Sequence, residues 1–123
     1  MDQTLKIMKE PAENKEHILI MHLNGALDAN GEETLLASAR EAYDEGARFL
    51  LLDLAKVDIL TSAGMRAMHK VYKMFTPANE RFKISHVRLY GAPQQMYQSL
   101  GVTGFLQTIP SYETMQEALD AFQ

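Results

Sequence analysis

The chain has 123 residues, 46% hydrophobic and 23% charged, a balance that suits one folded domain over 1–123 and is too apolar for a disordered segment. Its formal net charge of −4, without a run of Lys or Arg, argues against a direct nucleic-acid partner held through phosphates. The absence of cysteine excludes disulfides, thiolate nucleophiles and thiolate metal sites.

Apolar stretches such as Ile18 to Met21 and Phe49 to Leu52 fall far short of the ~18 residues of a membrane span. The charged start Met1 to Lys9 has no apolar signal region behind it. The reading is therefore cytoplasmic, with no membrane insertion.

Thr4 to Lys9 alternates polar and apolar residues, and His17 to Leu23 forms a second β run across a loop containing Pro11 and Asn14. Asn24-Gly25 reads as the break of that strand, and Asp28 or Asn30 as the cap of a helix. In this helix Leu35, Leu36, Ala39, Ala42 and Tyr43 make one apolar stripe, and Gly46 ends it. The continuous run Phe49-Leu50-Leu51-Leu52 reads as a central strand buried on both faces.

From Ser62 to Phe75 the period returns to 3.6, with Met65, Met68, Val71, Tyr72 and Phe75 inward and Thr76-Pro77-Ala78-Asn79 closing the helix. Phe82 to Tyr90 is β-like, and a short helix opens at Pro93. Gly101 stands where a left-handed helix cap is expected, backed by Val102. Phe105 to Ile109 reads as a last strand, and Ser111 as the cap of a final helix carrying Met115, Ala118, Leu119 and Phe122 inward. The order β, β, α, β, α, β, α, β, α predicts an α/β layer fold with a mostly parallel sheet.

The stretch Val57-Asp58-Ile59-Leu60-Thr61-Ser62-Ala63-Gly64-Met65-Arg66 joins the central strand to the second long helix. A strand-to-helix loop exposes unpaired amides and the positive end of a helix, a setting that favours an anion such as phosphate. Ser62 reads as its natural cap or phosphoryl acceptor. On a wheel of 100° per residue Arg66, His69, Lys70 and Lys73 fall within about 80° of Ser62, opposite the apolar stripe. On spacing alone this is also the pattern of a capping serine above an ordinary wet helix face.

Four stretches, in this order and spacing, resemble the STAS domain family, specifically the stand-alone anti-sigma factor antagonists of bacteria. Leu23-Asn24-Gly25-Ala26-Leu27-Asp28 is similar to the family's strand followed by Gly-x-Leu-Asp, and Phe49-Leu50-Leu51-Leu52-Asp53-Leu54 to its central strand. Leu60-Thr61-Ser62-Ala63-Gly64-Met65 resembles its Asp-Ser-Ser-Gly-Leu or Ser-Ser-Ala-Gly-Leu loop, and Leu100-Gly101-Val102-Thr103-Gly104-Phe105 its late Leu-x-x-x-Gly-Leu segment.

The resemblance implies a STAS-like fold, a mixed four- to five-stranded sheet with about four helices packed on it, and a protein-binding switch rather than an enzyme. In such a switch the unmodified protein binds an anti-sigma factor that is also a serine kinase. Phosphorylation of the loop serine, here Ser62 with Thr61 as runner-up, releases it, and a PP2C-type phosphatase restores binding. The partner surface then comprises Asp28, Thr61, Ser62, Gly64, Arg66, His69, Lys70 and Lys73, with no cofactor. Thr61 stands where the best-known antagonists have Asp, and Ala63 replaces the second serine.

Other classes carry weaker signals. Ser62 lacks the Gly-x-Ser-x-Gly turn of hydrolases, and His69 is about 10 Å further along the helix by its rise. His17, His22, His69 and His86 have no paired metal spacing, and His22 could meet His86 only on neighbouring strands. Asp28, Asp53 and Asp58 read as loop-capping carboxylates at element ends. The alternative within the family is a non-phosphorylated accessory: a soluble subunit of a lipid transporter complex, or a nucleotide-binding regulatory module.

Overall fold

The computed structural model describes residues 4–13, 15, 17–81 and 84–122. Among them the chain runs β1 (Lys6–Pro11), β2 (Ile18–Leu27), α1 (Ala29–Asp44), β3 (Phe49–Leu60), α2 (Ser62–Phe75), β4 (Val87–Tyr90), α3 (Gln94–Val102), β5 (Ser111–Tyr112) and α4 (Met115–Asp120), with short 3₁₀ turns at Ala78–Glu80 and Phe105–Gln107. The sheet has the order β1-β2-β3-β4-β5. β1 lies antiparallel to β2, and the remaining pairs are parallel. This is the expected α/β architecture: a mixed five-stranded sheet with four helices among the described residues.

The central run behaves as its composition dictates, since Leu50, Leu51 and Leu52 are all fully buried. Alternation sends Leu50, Leu52 and Leu54 to the face covered by α1 and α2, where they meet Leu35, Ala39, Met68, Val71 and Phe75. Leu51 points the other way and packs with Ile18, Ile20 and Ala118 beneath α4. A fully buried side chain of this size contributes about 1.5–3 kcal/mol, so the strand is anchored from both sides. α4 is short, and it covers only the half of its face nearest the start of the parallel strands.

Several boundaries differ from the sequence expectation. Asn24-Gly25 does not break β2: the strand continues to Leu27 across register shifts at His22/Asn24 and Gly25/Ala26, where Gly25 takes a positive φ of 113°. A bulge with a left-handed glycine lets the ladder continue where a turn is expected from composition. Gly101 is helical, one residue before the end of α3, and the left-handed position is Gly104 at φ 79°. Phe105 to Ile109 is not a strand, because the chain turns through Phe105–Gln107 and pairs only at Ser111–Tyr112.

Ser111 therefore lies in β5, and Thr114 caps α4 by accepting from the Glu117 amide while donating its hydroxyl to the Glu117 carboxylate. β4 begins at Val87; the expected start at Phe82 lies outside the described residues. Asp28 does cap α1, accepting from the Gly31 amide at 3.0 Å. No helix among the described residues is long and apolar enough to cross a membrane.

Candidate functional site

The parallel pairing of β2 with β3 ends with Leu27 opposite Leu60. Asp28, the cap of α1, and Thr61, the cap of α2, thus leave the sheet side by side at the carboxyl end of two adjacent parallel strands, a place where open α/β sheets present their loops for binding. The Leu27 carbonyl ties the two together by accepting from the Thr61 amide at 3.2 Å. Gly64 completes the junction: a Cβ there would stand 2.0 Å from the Leu27 carbonyl oxygen, so only glycine lets α2 begin this close to β2.

Thr61, not Ser62, is the N-cap of α2. Its backbone is extended (φ −112°, ψ 174°) and its Oγ1 accepts from the Gly64 amide at 3.3 Å, which corrects the expectation of Ser62 as cap. Ser62 is the first helical residue and is exposed. Its hydroxyl is left out of the capping.

The structure brings the expected strip together. Ser62, Arg66, Lys70 and Lys73 are exposed and His69 is half-buried, and all five line one groove of about 540 Å³ with Met65. The opposite wall is Thr103, Gly104, Phe105 and Thr108, a wall that sequence reasoning missed, since it took Phe105 to Ile109 as a strand and gave Thr103 and Gly104 no place at the site. Lys70 is partly neutralised, since its Nζ lies 2.7 Å from Glu32 Oε2 on α1. His69 sits against Tyr72, with ring centroids 5.5 Å apart. Burial, together with the charges of Lys73 and Arg81, pushes the His69 imidazole below its ordinary value. Asp28 stands at the Leu27 junction rather than in the groove wall.

A second polar cluster lies on the half of the sheet that α4 leaves bare. Asp53 is not at a strand end: it lies mid-strand opposite His22, and its Oδ2 is 2.6 Å from His22 Nδ1. His22 Nε2 is 3.0 Å from Glu10 Oε1 on β1. Burial alone lowers the His22 pKa, but the hydrogen bonds and charges of Asp53 and Glu10 outweigh it and hold the imidazole above its ordinary value. The signal for this was the alternation of β3, which turns Asp53 to the face of Leu51. His86 does not meet His22, because β3 lies between their strands; it faces Glu80 and stacks on Phe49 at 4.4 Å. Among the described residues no three His, Asp or Glu side chains converge as a metal-ligand set.

Comparison with known proteins bears on the fold and the family. The chain is 25% identical over 116 residues to BtrV of Bordetella bronchiseptica, a proposed anti-sigma factor antagonist, covering 94% of this chain and 96% of BtrV. The fold matches the crystal structure of an anti-sigma factor antagonist from Mycobacterium paratuberculosis with a TM-score of 0.78 at 18% identity, covering 98% and 96% of the two chains. It also matches SpoIIAA, both unphosphorylated (TM-score 0.68, 15% identity, 95% and 97% covered) and, from Bacillus, phosphorylated (0.67, 14%, 96% and 100%). The family model for the STAS domain matches residues 11–118, and the chain belongs to the STAS domain family.

Proposed function

We propose that this STAS domain is a cytoplasmic anti-sigma factor antagonist that works by partner switching. Unmodified, it binds an anti-sigma factor that is also a serine kinase; phosphorylated on Ser62, it is released, and a PP2C-type phosphatase returns it to the binding state. The observation that carries this reading is the division of labour at the head of α2, where Thr61 caps the helix and Ser62 presents an unused, exposed hydroxyl.

A phosphoryl group on Ser62 adds ~1.5 to 2 negative charges at the positive end of α2, one turn from the exposed Arg66 guanidinium. The fold itself tolerates this charge. An interface packed over Ser62 does not, because desolvating an imperfectly paired dianion costs several kcal/mol of affinity. Thr61 is the poorer acceptor, since modifying its Oγ1 disrupts the cap bond to Gly64. No step in this cycle calls on a catalytic residue of this chain.

The test is intact-mass analysis of the protein isolated from its native cells, with fragment mapping, comparing wild type with Ser62→Ala. A single phosphate that disappears in Ser62→Ala is expected. A chain that carries no phosphate under any growth condition overturns the switch and leaves the accessory-subunit reading, whereas one still phosphorylated in Ser62→Ala overturns Ser62 as the acceptor and moves it to another hydroxyl, Thr61 first.

A further inference from the structure

The groove at Ser62 does not end at Lys73. A second hollow of about 550 Å³, lined by His69, Tyr72, Lys73 and Arg81 on one side and by Thr108 and Pro110 on the other, shares His69, Lys73 and Thr108 with the first. The two form one trough along α2. Among the described residues no Asp or Glu lines either part, although the chain has 16 acidic residues against 12 basic ones. Arg66 and Lys73 are exposed on its rim. Arg81 is held in place by donating Nε to the Thr76 carbonyl at 3.3 Å and Nη2 to the Lys73 carbonyl at 3.1 Å. Between these charges apolar side chains, Met65 and Phe105 half-buried and Ile84 53% exposed, alternate with the neutral polar groups of Thr103, Thr108 and Gln107.

We propose that this trough docks an extended, acidic segment of the partner protein, one that alternates carboxylate and apolar side chains. The proposal deepens the partner-switching reading and rests on it for the identity of this face as the partner's. From Ser62 to Lys73 the helix rises about 17 Å at 1.5 Å per residue, and an extended chain covers that in about five residues at ~3.3 Å each. Carboxylates pair with Arg66, Lys73 and Arg81, while the residues between them meet Met65, Phe105 and Ile84. A nucleic acid suits the trough poorly, because of the five Lys and Arg side chains that line it Lys70 is paired with Glu32 and Arg88 is buried, and the remaining three offer too few phosphate contacts. Phosphoserine at position 62 takes up Arg66 and sets a like charge at the head of the trough, so modification removes the electrostatic attraction as well as blocking the interface.

The probe is a fluorescein-labelled heptapeptide of alternating Glu and Leu, followed by anisotropy and by amide chemical-shift mapping of the full chain. Expected are shifts confined to residues 62–73, 81, 84 and 103–110, and affinity that falls as salt rises from about 0.05 to about 0.5 M. Arg66→Glu/Lys73→Glu should lose at least about tenfold in affinity, whereas Lys6→Glu/Lys56→Glu, an equal charge change beside His22 on the other sheet face, should lose none. Equal binding of an alternating Lys-Leu peptide, or a single-stranded oligonucleotide that shifts these residues when the acidic peptide does not, overturns the proposal. The two readings fail separately: peptide binding by a chain never phosphorylated in cells removes only the switch, and phosphorylation of Ser62 without peptide binding removes only the acidic segment.

Discussion

Thr61 and Ser62 are adjacent hydroxyls with opposite tasks, and the distinction comes from backbone geometry rather than chemistry. Thr61 is extended and reaches back to the Gly64 amide, while Ser62 already has helical geometry and points outward. Thr61→Ala should therefore lower the unfolding free energy by about 1 kcal/mol. Ser62→Ala should change it by less than about 0.5 kcal/mol. Urea unfolding of the two variants decides, and equal effects would contradict the assignment of the cap. Either residue type caps well, so the sequence pattern put the cap on Ser62, one residue late; the extended backbone of Thr61 and its bond to Gly64 put it on Thr61.

At the scale of elements, two glycines predict opposite outcomes. Gly64 faces the Leu27 carbonyl with no room for a Cβ, so Gly64→Ala must push α2 away from β2, at a cost of about 3 kcal/mol or more. Gly101 sits inside α3 with nothing within 4 Å of the place a methyl would take, and Gly101→Ala should stabilise by about 0.5 kcal/mol through helix propensity. Thermal melting of both variants tests this, and a destabilised Gly101→Ala would restore the left-handed cap that its place in the sequence suggested. The long elements were legible because their apolar period is unambiguous, as in Leu35 to Tyr43 and Met68 to Phe75. The chain from Gly101 to Thr114 was not, because Phe105, Leu106 and Ile109 pack as a turn under tertiary contacts that no local pattern encodes. The basic strip was legible as a helix face, yet its opposite wall lay in that misread segment.

Across the molecule as a whole, His22 links three strands, with Glu10 on β1 and Asp53 on β3 to either side and Lys6 and Lys56 on the rim of the same hollow. Both ring nitrogens meet carboxylates, so the bridge needs the protonated ring. Because the folded pKa is raised above the ordinary 6.5, this stabilisation is fully present below that value and is lost as the pH rises through the folded pKa. His69 contributes with the opposite sign, its depressed pKa favouring folding as the pH rises to the ordinary value. The informative quantity is thus the difference between wild type and His22→Gln. The melting-temperature advantage of wild type should be larger at about pH 5.5 than at about pH 8.5; an advantage independent of pH would show that the bridge is neutral.

The bond from the Thr61 amide to the Leu27 carbonyl, with Gly64 pressed against the same oxygen, also bears on how the kinase of the proposed switch would reach Ser62. A loose loop can be drawn out as a strand into a kinase cleft, but Ser62 is mounted on the rigid junction of β2, β3 and α2. Such a kinase would instead have to shape its active site to the folded surface. Recognition in the proposed switch would then depend on tertiary structure rather than on the local run of residues, so a partially unfolded copy of the chain would be silent in it, and only a correctly folded one counted.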